Sequence, residues 1–207
     1  MDERRTGEFD ERPPASPAEA LAIIDREQAR NEPGFGPYFV VWGVSWLVIG
    51  LSWFAAGAGL WSPTAAGIAT LVAVVVGVVF SVVLGVRTDR GVQGPSRTYG
   101  AMYGVGWMVA MISTGVTAVA LLRFVAPELA ATAPGAFLPA LFVLVAGVVY
   151  TVSGALWRSP IDYGLGIALQ VVAVATALAP FPWNNLVMAI GGGGALVAVG
   201  LARGARR

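Results

Sequence analysis

Six long apolar stretches dominate the chain, at about 38–58, 64–86, 99–122, 137–157, 161–179 and 183–202. Each is close to the roughly 20 residues a helix needs to cross a bilayer. A segment in hydrocarbon must satisfy its backbone N–H and C=O groups internally, which leaves helices and closed barrels. The stretches lack the strand alternation of a barrel. The expected fold is therefore an all-α, polytopic bundle of six transmembrane helices. Composition agrees: of 207 residues, 57% are hydrophobic and 12% charged, whereas a soluble domain is roughly a quarter charged. Most of the surface must face something other than water.

A proline stands at or just before the start of every stretch: Pro37, Pro63, Pro95, Pro139, Pro160 and Pro182. Proline suits the first turn of a helix, where the missing N–H had no partner anyway. Ser62-Pro63 and Ser159-Pro160 predict a cap followed by a first turn. No proline is expected inside a span, and so no proline kink.

Residues 1–15 are charged and poor in aliphatics, a disordered composition. Ser16, Pro17 and Glu19 then predict a capping box and a cytoplasmic amphipathic helix over 16–31. Ala20, Leu21 and Ile24 share one face of it, while Asp25, Arg26, Glu27 and Arg30 cover much of the rest. Two readings stand: an interfacial helix lying on the bilayer or the protein's own loops, or a docking helix for a cytosolic protein partner. The domains are thus a tail at 1–36, a membrane domain at 37–203 and a short tail at 204–207. A further short helical turn is expected at Pro127 to Ala131.

Arginine placement sets the expected orientation. Arg26, Arg30, Arg87, Arg90, Arg97, Arg158, Arg203, Arg206 and Arg207 fall on one side, and Arg123 on the other. The side rich in arginine is the cytoplasmic one, so both termini are expected there. All basic residues are Arg, beside much Ala, Gly and Val. That usage suggests a GC-rich bacterial genome, and hence a bacterial cytoplasmic membrane.

Several chemistries are excluded. The chain has no Cys and no His, which removes thiolates, zinc–thiolate sites and the commonest general base. It has no Lys, so no Schiff base and no Walker lysine. Neither an enzyme, a cofactor nor a metal is expected. The acidic tail before Gly34 argues against nucleic acid as a partner.

Three segments begin alike: Trp42-Gly43-Val44-Ser45-Trp46, Tyr103-Gly104-Val105-Gly106-Trp107 and Tyr163-Gly164-Leu165-Gly166-Ile167. Gly77 to Val82 likewise parallels Gly147 to Val152. The pattern suggests three repeated helical hairpins in parallel orientation. Gly43, Gly50 and Gly57 form a stripe at heptad spacing, with Trp42, Trp46 and Trp53 beside it. Such a stripe admits close helix packing, or an indole-lined cavity. The mid-span run Gly191, Gly192, Gly193 and Gly194 allows either close contact or a locally unwound helix facing a cavity. Gln170 is the only mid-span amide among the six stretches, an interhelical hydrogen-bond partner or a substrate contact. No Asp, Glu or Arg lies deep in a span, which argues against a proton relay or voltage sensor. Arg87, Arg90 and Arg97 are candidates for contact with lipid headgroups or a partner. Arg158 and Asp162 are placed to pair across a turn. The glycine stripes leave room for a homo-oligomer.

The leading helix with Glu19 to Ile24, the Trp42 to Trp46 motif, Gly94-Pro95-Ser96 before Tyr103-Gly104, and the late glycine run resemble a group of actinobacterial six-span membrane proteins that carries no established activity. A broader likeness is to ABC-2 type permeases, which share six spans, a leading cytoplasmic helix and an inner loop that touches an ATPase subunit. The short turn Ala179-Pro180-Phe181-Pro182 departs from them. That likeness is of fold alone; the repeats, the uncharged interior and the mid-span glycines point to a transport-type or transport-associated membrane subunit. The alternative is a non-transporting scaffold or sensor that docks a cytosolic regulator through helix 16–31.

Overall fold

The computed structural model describes residues 16–23, 35–88, 95–125 and 134–205. The tail 1–15, the second half of the leading helix and the turn expected at 127–131 lie outside the described residues. The chain divides into two compact units, Met1–Pro33 and Gly34–Arg207. In the first, helix α1 occupies 17–23. The Glu19 N–H donates to Ser16 Oγ at 3.2 Å, the serine half of a capping box. Leu21 and Ile23 on α1 are exposed.

Among the described residues, the regular structure of the second unit is all helical. It comprises α2 (Gly36–Gly57), α3 (Pro63–Thr88), α4 (Pro95–Val125), α5 (Pro134–Leu156) and α6 (Pro160–Leu178). A last span, Trp183–Gly204, contains α7 (Trp183–Val187), a π-helical segment (Met188–Gly193) and α8 (Gly194–Gly204). Among the described residues, six helices of this unit are long and apolar enough to cross a membrane. The chain thus has the architecture of a multi-pass membrane protein.

Two of its hairpins close by one construction. At the end of α2, Leu60 N–H bonds to Ala55 O at 2.8 Å and Gly59 N–H to Ala56 O at 3.1 Å, a Schellman motif with Gly59 left-handed. Ser62 Oγ then accepts from Ala65 N–H at 3.1 Å and starts α3. At the end of α5, Ser159 N–H bonds to Gly154 O at 2.8 Å and Arg158 N–H to Ala155 O at 3.4 Å. Ser159 Oγ accepts from Asp162 N–H at 3.3 Å and starts α6. Both Ser-Pro caps form where the sequence predicts them. The second turn places Arg158, not glycine, at φ 53°, a conformation that costs a side chain roughly 1–2 kcal/mol.

One boundary differs from expectation. Because α5 begins at Pro134, Pro139 lies inside the helix. Its missing N–H would have served the carbonyl of Gly135, and another helix supplies the replacement donor, as described below.

Packing separates central from peripheral helices. α2, α5, α6 and the last span form the centre, with α5 and α6 the most extensively packed pair. α3 packs on α2, and α4 on α5. Of the most apolar window of each span, 39% is buried in the last span and 33% in α2, against 11% in α3 and 6% in α4. Lipid tails give apolar side chains no reason to prefer the interior, so central helices are held by close van der Waals fit and hydrogen bonds. The core gathers Phe39, Trp46, Val143, Leu165, Leu169 and Leu196. α4 is tied in through rings, with Trp107 5.3 Å from Tyr150, itself stacked on Phe39 at 5.4 Å.

Candidate functional site

Glycine dictates how α2 meets the last span. A Cβ built on Gly36 would lie 2.9 Å from Gly200 O, on Gly43 2.7 Å from Gly193 O, and on Gly50 2.5 Å from Asn185 O. No side chain fits at those separations, so backbone approaches backbone. The glycines of α2 recur every seven residues, whereas the facing carbonyls are seven and then eight apart. The extra residue falls where the π segment Met188–Gly193 lies. A π turn widens the helix by one residue, and here it absorbs the mismatch and keeps both contacts in register.

The glycine run sits at this turn and is filled on three sides. A Cβ on Gly191 would meet Val172 at 3.0 Å, on Gly192 the Trp46 ring at 2.9 Å, and on Gly193 the carbonyl of Gly43 at 2.8 Å. Only Gly194 has open space beside it. The run costs roughly 1 kcal/mol of helix propensity per residue, offset by contact with α6 and α2.

The indoles of α2 point two ways. Trp46 is buried over Gly192. Trp42 Nε1 donates to Ser81 Oγ at 3.0 Å and Trp53 Nε1 to Thr70 Oγ1 at 2.9 Å. With Ser45 Oγ bonded to Ala73 O at 3.2 Å, these bonds attach α3 to α2. Gln170 plays the same part between α6 and α5: its Nε2 donates to Thr151 Oγ1 at 2.8 Å. Gly147 and Gly166 bring the two backbones together there, since a Cβ on Gly166 would lie 2.7 Å from Gly147 O.

The repeat in the sequence survives as a local bond. Trp42 bonds forward to Ser81 in the first hairpin, and the Tyr103 hydroxyl lies 3.1 Å from Ser153 Oγ in the second. Burial does not repeat: Gly43 is enclosed, while Gly104 and Gly164 have nothing within 4 Å of a built Cβ.

Asp162 pairs with Arg203, not with Arg158. The Arg203 Nη2 to Asp162 Oδ1 distance is 2.7 Å, and the same nitrogen is 3.4 Å from Ser159 Oγ. The guanidinium also lies 4.9 Å from the centre of the Phe39 ring. The left-handed turn at Arg158 leaves Asp162 to the end of α8. Arg87 is exposed in the last turn of α3, where a cation suits the carbonyl end of the helix. Arg90 and the side chain of Arg97 lie outside the described residues.

The sequence reading missed an asparagine clasp at the opposite end of the bundle. Asn184 and Asn185 are buried at the start of the last span. The Asn184 Nδ2 donates to the carbonyls of Gly135 and Ala136, and the Asn185 Nδ2 to Gly135 O at 3.2 Å and to Asn184 Oδ1 at 3.0 Å. Gly135 is the residue whose carbonyl Pro139 cannot serve. A proline early in one span and adjacent amides early in another were the visible signals. Asn185 Oδ1 and Thr176 Oγ1 are buried without a protein partner among the described residues. No group of three metal-ligating side chains occurs among the described residues. The chain matches no protein-family model, no curated protein and no solved structure.

Proposed function

We propose that the chain is a non-transporting membrane scaffold or sensor that engages a cytosolic protein through its N-terminal helix. The observation that supports this reading is the fate of the mid-membrane candidates. Gln170 bonds to Thr151, and Gly191, Gly192 and Gly193 lie against Val172, Trp46 and Gly43. The positions most suited to a solute path are thus taken up in holding four helices together. Arg87 and Arg203 lie in the last turns of α3 and α8 and Arg158 in the turn just past α5, all on one side by the alternation of the spans, and Arg123 lies in the last turn of α4 on the other. Under the positive-inside rule that arrangement favours a cytoplasmic face at the chain termini. The exposed Leu21 and Ile23 of α1 are the contacts on offer to a partner.

The test is affinity capture of the full chain from its native membrane, beside a variant lacking 16–31. A soluble protein retained by the full chain and lost from the variant supports docking. An identical set of retained proteins would remove the idea.

One feature favours a second reading, a transport-type subunit working with an ATPase. π turns inside membrane helices recur at functional sites, and this one lies in the glycine run. Solute flux in proteoliposomes, dependent on ATP and an added ATPase subunit, would establish it over the scaffold.

A further inference from the structure

Two contacts bracket the glycine run and set the register of the last span at both ends. Asn185 O faces Gly50, and Gly200 O faces Gly36. Between these contacts the last span holds one residue more than α2 does. The π segment Met188–Gly193 takes up that surplus between Asn185 and the Gly193–Gly43 contact. The surplus fits equally well beyond that contact. Gly192 then stands seven residues from Asn185 and eight from Gly200, and its carbonyl faces Gly43 in place of that of Gly193. Neither bracketing contact changes. The two registers differ only in where the wide turn lies.

Moving the turn rotates only the residues between its two positions. One surplus residue is worth a rotation of about 100°, fullest around Gly193 and fading toward Met188 on one side and Val199 on the other. In an ordinary helix that rotation would drive side chains into the neighbouring helices. Here the residues that turn furthest have none, and each takes the place of the one after it. Gly191 comes beneath the Trp46 ring, where a Cβ on Gly192 would lie 2.9 Å from the indole. Gly192 comes to the Gly43 carbonyl, where a Cβ on Gly193 would lie 2.8 Å away. Both places against α2 that refuse a Cβ are thus refilled by glycine. Gly193 takes the open side now held by Gly194, which has nothing within 4 Å of a built Cβ. Gly194 takes the place of Ala195, which packs against the core. The large flanking residues, exposed Ile190 and buried Leu196, lie toward the ends of the rotated stretch and turn less.

We propose that the last span is a two-register helix, in which the π turn moves across the glycine run and hands the Gly43 contact from Gly193 to Gly192. The ends of the span stay clamped meanwhile, by Asn185 on Gly135 at one and by Arg203 on Asp162 at the other. The middle changes the face it shows to Trp46 of α2 and Val172 of α6. This device stands apart from the docking role of α1, and its test makes no use of that helix.

The experiment is nitrogen-15 relaxation dispersion on the full chain in detergent micelles, since helix register shifts run in microseconds to milliseconds. Exchange should be confined to the backbone amides around the glycine run, from Ala189 to Val197. Gly194→Phe fits the open side but not the place of Ala195, so it should abolish the exchange and leave the major-state shifts in position. Gly193→Ala is barred from Gly43 and free on the open side, so it should move these amides to the minor-state shifts extracted from the unmodified chain. Flat dispersion across the run would overturn the proposal. Exchange that survives Gly194→Phe would do the same, as would a Gly193→Ala spectrum that keeps the major-state shifts. A Gly193→Ala chain that fails to fold would show that no second register is within reach, and would also overturn it.

Discussion

α2 and α4 open with nearly the same residues and end in different places. Trp42-Gly43 lies at the centre of the bundle and Tyr103-Gly104 at its rim. Their first aromatic does the same work in both, bonding a hydroxyl of the next helix. Their glycines do not. Gly43 faces the carbonyl of Gly193, while Gly104 faces nothing. A small residue allows close approach without causing it. The cause is a second helix whose own small residues fall at the matching level, as Gly193 and Gly200 do for Gly43 and Gly36.

The strongest way to break this comparison is to fill both glycines. Gly43→Leu should destabilise the protein by about 3 kcal/mol or more, as overpacking against backbone does. Gly104→Leu should stay within about 0.5 kcal/mol, as exposed substitutions do. Unfolding in mixed micelles, followed by circular dichroism, measures both. Equal losses would mean that the two helices are equally enclosed.

The asparagine clasp offers a second test of what makes a helix central. Replacing Asn184 and Asn185 together by Leu should cost about 1–3 kcal/mol, since the Gly135 carbonyl loses its donors. Pro139→Ala restores an N–H within α5 and should recover part of that loss. A double-mutant cycle that is additive would show that the proline and the amides are unrelated.

The two hairpin turns sharpen the contrast at smaller scale. Arg158→Gly should raise stability by about 1 kcal/mol by relieving the left-handed side chain. Gly59→Ala, at φ 75° in the matching turn, should lower it by a similar amount. A melt in which both shift the same way would contradict the shared motif.

The smallest effects are expected where the helices agree. Trp42→Phe and Tyr103→Phe should each lose about 0.6 kcal/mol, the average found for hydrogen bonds between membrane helices. A loss at one position alone would confine the hairpin repeat to sequence.

The sequence made the spans readable because hydropathy and length define them directly. The Ser62 and Ser159 caps were readable because a cap is a bond within four residues. The order of helices from centre to rim was not. The central α2 and the peripheral α4 have mean hydropathies of 1.8 and 1.9. A helix in lipid needs no polar outer face, so the periodicity that reveals the buried side of a soluble helix is missing. Long-range partners were hidden for another reason. Asp162 has Arg158 four residues away, but its partner is 41 residues on, and only the turn geometry at Arg158 decides between them. Ser113, Thr114 and Thr117 stand close together on α4. Nothing in their identities shows that these hydroxyls, unlike Thr70 or Thr151, bond no neighbouring helix.

The widened turn in the last span has a consequence for how this gene can change. Removing a residue from a membrane helix ordinarily rotates everything beyond it by about 100°, so that half the span faces the wrong way. Here one residue is surplus to the regular helix, and Gly194 beside it touches no neighbour. Deleting Gly194 should leave an ordinary α-helix that still presents Asn185 and Gly200 to α2. The same deletion at Leu196 falls beyond the surplus residue and removes a buried side chain.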